Sequence, residues 1–163
     1  MRMDDARGQA AVELEVVGYQ FPSYDPRAAN FDDTDANWLQ VRGSIRTLDL
    51  SWTFTDPCLL TGEAAELGAW LHRVAEGGVH PSQEVFGRGA VFFVEPNLSV
   101  RLAASEGAML TLVWYFSQES SPPGAPDEIR FGHGHPVHLE VSPKHLARAA
   151  DEWSTALARF PPR

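Results

Sequence analysis

The stretch SWTFTDPCLLTGEAAELGAWL, from Ser51 to Leu71, changes its periodicity along its length and thereby indicates the class of fold. At its start, Trp52 and Phe54 alternate with polar residues, which is typical of a β-strand with one face in water. The pair Asp56-Pro57 is expected to end this strand, because proline lacks the backbone N–H that a strand ladder uses. Further on, apolar residues recur at the spacing of one buried helical face: Leu67, Trp70, Leu71 and Val74.

The predicted helix also has recognisable ends. Thr61 is a candidate cap, and Glu63 and Glu66 lie near the positive end of the helix dipole. Gly77-Gly78 is expected to end the helix.

Upstream of this stretch, the sequence predicts a β-hairpin and one earlier strand. Trp38 to Arg46 alternates apolar and polar residues, and Leu50 to Phe54 repeats the alternation after a short turn. Ala11 to Val17 alternates apolar side chains with glutamates, so it is interpreted as the first strand. Between them, Gln20 to Ala36 carries prolines and aspartates with little periodicity, which predicts a long exposed acidic loop.

Downstream, the sequence predicts four more strands and a terminal helix. Pro122 to Pro136 is rich in proline, glycine and histidine and is interpreted as a second long loop. Ser142 is a candidate cap for the last helix, with Pro143 at its first position. The four strands are Ala90 to Val94, Leu98 to Leu102, Met109 to Phe116 and Val137 to Val141.

The order of these elements predicts an α+β fold. Short connections between neighbouring strands favour antiparallel pairing, and two amphipathic helices can cover one face of a sheet. We therefore expect a mainly antiparallel sheet of about six to seven strands with two amphipathic helices packed on it. The 163 residues are expected to form one domain over 1–163, with residues 1–10 disordered.

Composition and charge narrow the classes of function. The formal net charge of −9 and the sequence pI near 5.0 disfavour direct binding to nucleic acid, which depends on clustered lysine and arginine. An acidic surface attracts basic proteins, although acidity also serves solubility alone. The beginning of the chain lacks the basic and apolar regions of a secretory signal, and no apolar run is long enough to span a membrane, so a cytoplasmic protein is expected.

The sequence contains none of the common catalytic motifs: GxGxxG, GxxxxGK[ST], HExxH, a CxxC pair and GxSxG are all missing. We therefore expect no enzyme activity and no cofactor. The single cysteine, Cys58, lies near a helix start and allows two interpretations, an activated thiolate or a buried structural thiol. The buried thiol is favoured.

Three histidines, His133, His135 and His138, form an HxHxxH cluster that could supply imidazole ligands to zinc or another divalent metal. The spacing alone is a weak signal, because ligands in a loop and on a strand must converge on one ion. A metal-binding domain or metal-dependent enzyme is therefore kept as an alternative to a solvated histidine-rich loop.

The acidic loop and Trp38, which lies just beyond it, are the candidate binding surface. Trp38 alternates with Gln40 and Arg42 on the face opposite Leu39 and Val41, so it is a candidate exposed aromatic beside acidic residues. Such a surface suits a basic partner. The candidate contacts are Asp25, Asp32, Asp33, Asp35 and Trp38.

Several stretches, in order, resemble a known family. They are DANWLQVRG at Asp35 to Gly43, SWTFTDPCLLTGEAAELGAWL at Ser51 to Leu71, FVEPNLSV at Phe93 to Val100 and YFSQESSPPGA at Tyr115 to Ala125. With LEVVGYQFP at Leu14 to Pro22 and ARFPPR at Ala158 to Arg163, the chain is similar to the WapI-type immunity proteins. The His133 to His138 loop and the Ala104 to Gly107 turn are not features of that resemblance.

The resemblance implies a cytoplasmic antidote without a catalytic step, which binds and neutralises the C-terminal toxin domain of a contact-delivered bacterial toxin. One such toxin attacks tRNA. A nuclease carries a basic groove for its phosphate substrate, and an acidic protein can cover that groove. We therefore expect a basic cognate toxin domain as partner, with a nuclease as the candidate activity, and no direct contact to nucleic acid or membrane. A housekeeping domain that binds a small ligand or scaffolds an assembly is the remaining alternative.

Overall fold

The computed structural model describes residues 1–23, 35–85 and 87–163, which form two antiparallel β-sheets with helices. The first sheet has the order β1-β2-β3-β4, with strands Arg2–Asp4, Ala11–Tyr19, Trp38–Arg46 and Ser51–Leu60. The second has the order β5-β6-β7-β8, with strands Ala90–Phe92, Leu98–Glu106, Met109–Phe116 and His135–Val141. The helices are α1 (Thr61–Ala75), α2 (Asp127–Arg130) and α3 (Pro143–Leu157).

The predicted α+β class with antiparallel pairing is confirmed, but the prediction of one sheet of six to seven strands with two helices needs correction. The described residues contain eight strands in two sheets of four and a third, short helix. The division falls at α1, since β4 before it and β5 after it are both edge strands. Periodicity shows which residues are extended, but it does not show which strands exchange hydrogen bonds.

The first ten residues were expected to be disordered, whereas Arg2–Asp4 forms β1 and pairs antiparallel with β2. Met3 is fully buried in the core. A three-residue strand with one buried side chain is too short for a recognisable alternation, which is why the pattern did not indicate it.

Strand β4 continues through Pro57, where the sequence predicted its end. Leu39 pairs with Leu59 and Gln40 with Pro57, so Cys58 is an extra residue in the ladder. A proline is tolerated there because β4 is an edge strand and has a bulge at this point. At an edge or a bulge, a residue does not have to donate a backbone hydrogen bond to the ladder.

Strands β3 and β4 are also held together by a close glycine–aromatic pair. Gly43 lies directly opposite Phe54, and a Cβ at Gly43 would sit 2.0 Å from Phe54 Cε1. The phenylalanine ring therefore covers the glycine, and any side chain at this position would displace it.

One contiguous hydrophobic core includes buried side chains from both sheets and from α1 and α3. Trp52 of β4 packs edge-on against Phe116 of β7, with ring centroids 5.6 Å apart, and its indole N–H donates to the carbonyl of Ser120 at 2.9 Å. The indole N–H of Trp153 in α3 donates to the carbonyl of Ala64 in α1 at 2.7 Å. Trp52 and Trp153 thus each join two elements by packing and by one hydrogen bond.

The two sheets also meet at a corner between β1 and β8. Asp5 is 8% exposed, and its carboxylate accepts hydrogen bonds from the backbone N–H groups of Arg7 at 2.9 Å, Gln9 at 3.2 Å and Glu140 at 2.8 Å. The N–H of Ala6 donates to the carbonyl of Glu140 at 2.7 Å. We call this arrangement the Asp5 corner. It pairs the backbone N–H and carbonyl of Glu140 on the outer edge of β8, where they would otherwise lack partners in the sheet.

Among the described helices, none combines the length and the hydropathy that crossing a membrane would require.

Candidate functional site

An acidic groove of about 470 Å³ lies where the start of β3 and the middle of β4 meet the loops before β6 and after β7. Its described lining includes four carboxylates, a tryptophan and an asparagine. These residues are Asp35, Asp56, Glu95, Glu119, Trp38 and Asn97. We refer to it as the acidic groove.

The first side of the acidic groove is built by the approach to β3. Asp35 lies in a 3₁₀ turn, and Trp38 follows as the first residue of the strand. The backbone N–H of Gln20 donates to the carbonyl of Trp38 at 2.9 Å, which brings the end of β2 to the same place. Asp35 and Trp38 are both half-buried, so each presents part of its side chain to solvent.

The centre of the acidic groove is a pair formed by Asp56 and Asn97. The side-chain amide Nδ2 of Asn97 donates to Asp56 Oδ2 at 2.6 Å. Burial raises the pKa of the Asp56 carboxyl, and the nearby negative charges of Glu119 and Glu95 raise it further, while the hydrogen bond from Asn97 opposes them. This carboxylate is therefore in an environment that disfavours its own negative charge.

Asn97 is fixed by the turn that follows β7. Its backbone carbonyl accepts hydrogen bonds from the N–H of Ser117 at 3.0 Å and from the hydroxyl of Ser120. Gln118, between these serines, has a φ of +49°, a left-handed conformation that residues other than glycine seldom adopt. The turn holds Gln118 and Glu119 at the rim of the groove.

Glu63 positions the loop that carries Glu95. One of its carboxylate oxygens accepts from the N–H of Leu60 at 2.9 Å, and the other accepts from the N–H of Val94 at 2.7 Å. Glu63 therefore caps α1 and ties it to the chain after β5. Thr61, the residue predicted to cap the helix, is instead the first helical residue, and its hydroxyl donates to Asn37 Oδ1 at 3.2 Å.

Of the five candidate contacts predicted from sequence, Asp35 and Trp38 line the acidic groove. Asp25, Asp32 and Asp33 lie outside the described residues. Asp35, which directly follows that segment, lines the groove, and so does Phe21, which lies shortly before it.

Among the four carboxylates, the tryptophan and the asparagine of the groove, sequence reasoning missed four residues, although all four lie in stretches that carry the family resemblance. Each of the four stretches that carry the family resemblance contributes to the lining. The first supplies Asp35 and Trp38, the second Asp56, the third Glu95 and Asn97, and the fourth Glu119. Stretches far apart in sequence thus meet at one surface, which no single stretch indicates.

A second concavity, of about 440 Å³, lies on the first sheet and differs in charge. Its lining mixes Arg2 and Arg46 with Glu13, and Arg2 lies 3.6 Å from Glu13. Because these opposite charges are neighbours, this concavity offers no field of one sign to a charged partner.

Two histidines of the predicted cluster, His135 and His138, lie on opposite faces of β8. His135 and His138 are three residues apart on β8, so their side chains point to opposite faces of the strand. The His135 ring packs edge-on against Trp52, with centroids 5.5 Å apart, and burial lowers its pKa. Within residues 1–23, 35–85 and 87–163, no three His, Cys, Asp or Glu side chains are grouped to hold a metal ion.

Cys58 is fully buried, and burial raises the pKa of its thiol. The thiol therefore stays protonated at neutral pH, which supports the interpretation of a structural cysteine and contradicts that of an activated thiolate.

A comparison with protein-family profiles confirms the resemblance seen in the sequence. No curated protein matches the chain closely enough to count as a relative. The sequence profile of the immunity protein WapI-like family matches residues 3–161, which is nearly the whole chain. The chain therefore belongs to the immunity protein WapI-like family.

Proposed function

We propose that the protein neutralises a cognate toxin domain by binding it, and that the acidic groove and its surroundings cover a basic surface of that toxin. Membership of an immunity protein family suggests the toxin-neutralising role. The observation that carries the choice of surface is the convergence of four separate sequence stretches on the acidic groove.

The proposed toxin is a nuclease. Such an enzyme needs a basic groove to bind its phosphate substrate. A protein of net charge −9 is attracted to that surface, and its carboxylates can occupy the places of the phosphates. Inhibition by this route requires one bound immunity protein per toxin and no chemical step.

We further propose that Asp25, Asp32 and Asp33 extend the same contact. They belong to a segment that begins shortly after Phe21 and ends just before Asp35, and both of these residues line the acidic groove. Added negative charge at the rim of an interface mainly speeds association.

Co-expression with the toxin domain encoded by the neighbouring gene tests the proposal. We expect the protein to restore growth and to purify with the toxin domain as a stable complex. A toxin expressed with an empty vector establishes that the toxin is active. Failure of both rescue and complex formation with that active toxin would contradict the proposal.

The contribution of the acidic segment can be measured separately. Converting Asp25, Asp32 and Asp33 to asparagine should slow association about tenfold at low salt and flatten its salt dependence. The control is a variant that loses three charges elsewhere on the exposed surface, at Asp49, Glu76 and Glu106. Equal slowing by both variants would show that net charge alone acts, without a localised contact.

A further inference from the structure

We propose that the acidic groove receives one arginine side chain of the toxin domain, held between the Asp56–Asn97 pair and Trp38. This inference rests on the proposed function and names the chemical group that the groove recognises.

Asn97 offers a hydrogen-bond acceptor that has no donor. Asn97 is 2% exposed and lines the groove, and its Oδ1 is buried without a hydrogen-bond partner. Its Nδ2 is already used by Asp56. A buried polar atom without a partner costs free energy, so Oδ1 favours a ligand that donates a hydrogen bond.

The charged side chains in the described lining of the groove are all negative. Asp35, Asp56, Glu95 and Glu119 line the groove, and its described lining contains no lysine, arginine or histidine. Burial and the charges of Glu119 and Glu95 together raise the pKa of Asp56. A cation placed among these groups would relieve both effects, whereas an anion would add to the repulsion.

One guanidinium of the chain itself lies near the rim. Arg163 Nη1 donates to the carbonyl of Phe21 at 2.9 Å, and its Cζ lies 3.5 Å from the centroid of the Tyr19 ring. Phe21 lines the groove, but Arg163 and Tyr19 do not. This guanidinium is held by a carbonyl and an aromatic face, outside the groove.

The groups that line the groove favour a guanidinium over a metal ion. The carboxylates are not grouped tightly enough for a metal within the described part of the chain. A guanidinium has five N–H donors in a plane and stacks on aromatic rings, so it can engage Asp56, Asn97 and Trp38 together. An ammonium is a compact charge with no planar face to stack. The volume of about 470 Å³ is within the range of small-ligand pockets.

Affinity measurements on the complex test the inference. We expect Asp56→Asn and Glu119→Gln each to weaken binding of the toxin domain by about tenfold, and the double variant by up to about a hundredfold. Glu106→Gln is the matched control, because Glu106 is an exposed glutamate at the opposite end of β6 from Asn97. Its affinity should equal that of the wild type.

The outcomes separate this inference from the proposed function. If the wild-type protein binds and neutralises the toxin while both groove variants bind as tightly as Glu106→Gln, the inference is wrong and the proposed function stands. If the wild-type protein forms no complex with an active toxin, the proposed function fails and the partner named here fails with it.

An NMR titration with single amino acids capped at both ends tests the groove without any toxin. Acetyl-arginine-amide should shift the NMR signals of the Trp38 indole and the Asn97 side-chain amide, and Asp56→Asn should abolish these shifts. Acetyl-norleucine-amide is the uncharged control, and acetyl-lysine-amide distinguishes an ammonium from a guanidinium. The assignment of an arginine site would be overturned if acetyl-arginine-amide caused no shifts, or if either control compound caused equal shifts.

Discussion

Asp5 and Asp56 are both at least partly buried, but their carboxylates have very different hydrogen-bond partners. The carboxylate of Asp5 accepts three backbone hydrogen bonds, from Arg7, Gln9 and Glu140. The carboxylate of Asp56 accepts one from Asn97, and Glu95 and Glu119 raise its pKa along with burial. The fold supplies Asp5 with three hydrogen-bond donors. Asp56 has one donor and lies near two other carboxylates.

The difference separates a structural carboxylate from a binding carboxylate. A fully satisfied buried group stabilises the folded chain and has little to offer a partner. A buried carboxylate with too few hydrogen-bond donors slightly lowers the stability of the free protein. A partner that supplies the missing donors gains binding free energy from it. We therefore expect substitutions at the Asp5 corner to change stability, and substitutions in the acidic groove to change affinity.

The largest effect is expected at the Asp5 corner. Asp5→Ala leaves three backbone N–H groups without their acceptor and should lower the free energy of unfolding by about 3 kcal/mol, measured by chemical denaturation. Asp4→Ala is the control, because Asp4 is more exposed and is paired with Arg2 at 2.8 Å. That pair should contribute less than about 1 kcal/mol. Equal losses in the two variants would remove the distinction made for Asp5.

Trp38 should show the reverse pattern. Trp38→Ala removes the aromatic face at the acidic groove and should weaken toxin binding about tenfold to thirtyfold, measured by calorimetry. Trp38→Phe keeps an aromatic ring and should lose only a small part of the affinity. If the alanine variant binds as well as the wild type, Trp38 is a structural residue and the groove does not use it.

Asp56→Asn should raise stability while it lowers affinity. The pKa of Asp56 is raised above its ordinary value of 3.8, so the folded protein binds this proton more tightly than the unfolded chain. The stability associated with the protonated carboxyl is complete below about pH 3.8 and is lost as the pH rises through the folded-state pKa.

Thermal melts across that pH range measure the effect. Near neutral pH the Asp56→Asn variant should melt higher by on the order of 1 °C, and the difference should shrink as the pH falls toward 4. A variant that melts lower than the wild type at every pH would show that Asp56 stabilises the fold as Asp5 does.

The smallest effect is expected from metal ions. Because His135 and His138 point to opposite faces of β8, added zinc should leave the melting temperature unchanged. Elemental analysis of protein purified without a histidine tag should find no stoichiometric zinc. One zinc per chain that is lost in His135→Ala would restore the metal-binding alternative.

Much of the fold was predictable because its patterns are local. The alternation in Ala11 to Val17 became β2, and the one in Trp38 to Arg46 became β3. Ser142 was predicted as a cap, and its hydroxyl accepts the N–H of His145 at 3.2 Å. In each case the residues that decide the conformation are close neighbours in sequence.

The candidate site was only partly predictable. Trp38 was a candidate because it is a large aromatic residue on the otherwise polar face of its strand. It lines the acidic groove. Asp56 did not, because an aspartate before a proline is typical of a strand end or a turn. Asn97 gave no local signal at all, since its importance depends on contacts with the turn after β7.

The sequence by itself determined the positions of most strands and both long helices, the acidic balance and the family. Only the tertiary structure decided that the strands divide into two sheets, and that Asp5 is satisfied whereas Asp56 is not. Periodicity and capping act over a few residues and are therefore visible in the sequence. Hydrogen-bond partners and the local electrostatic environment of a carboxylate come from residues that are distant in sequence, so they exist only once the chain has folded.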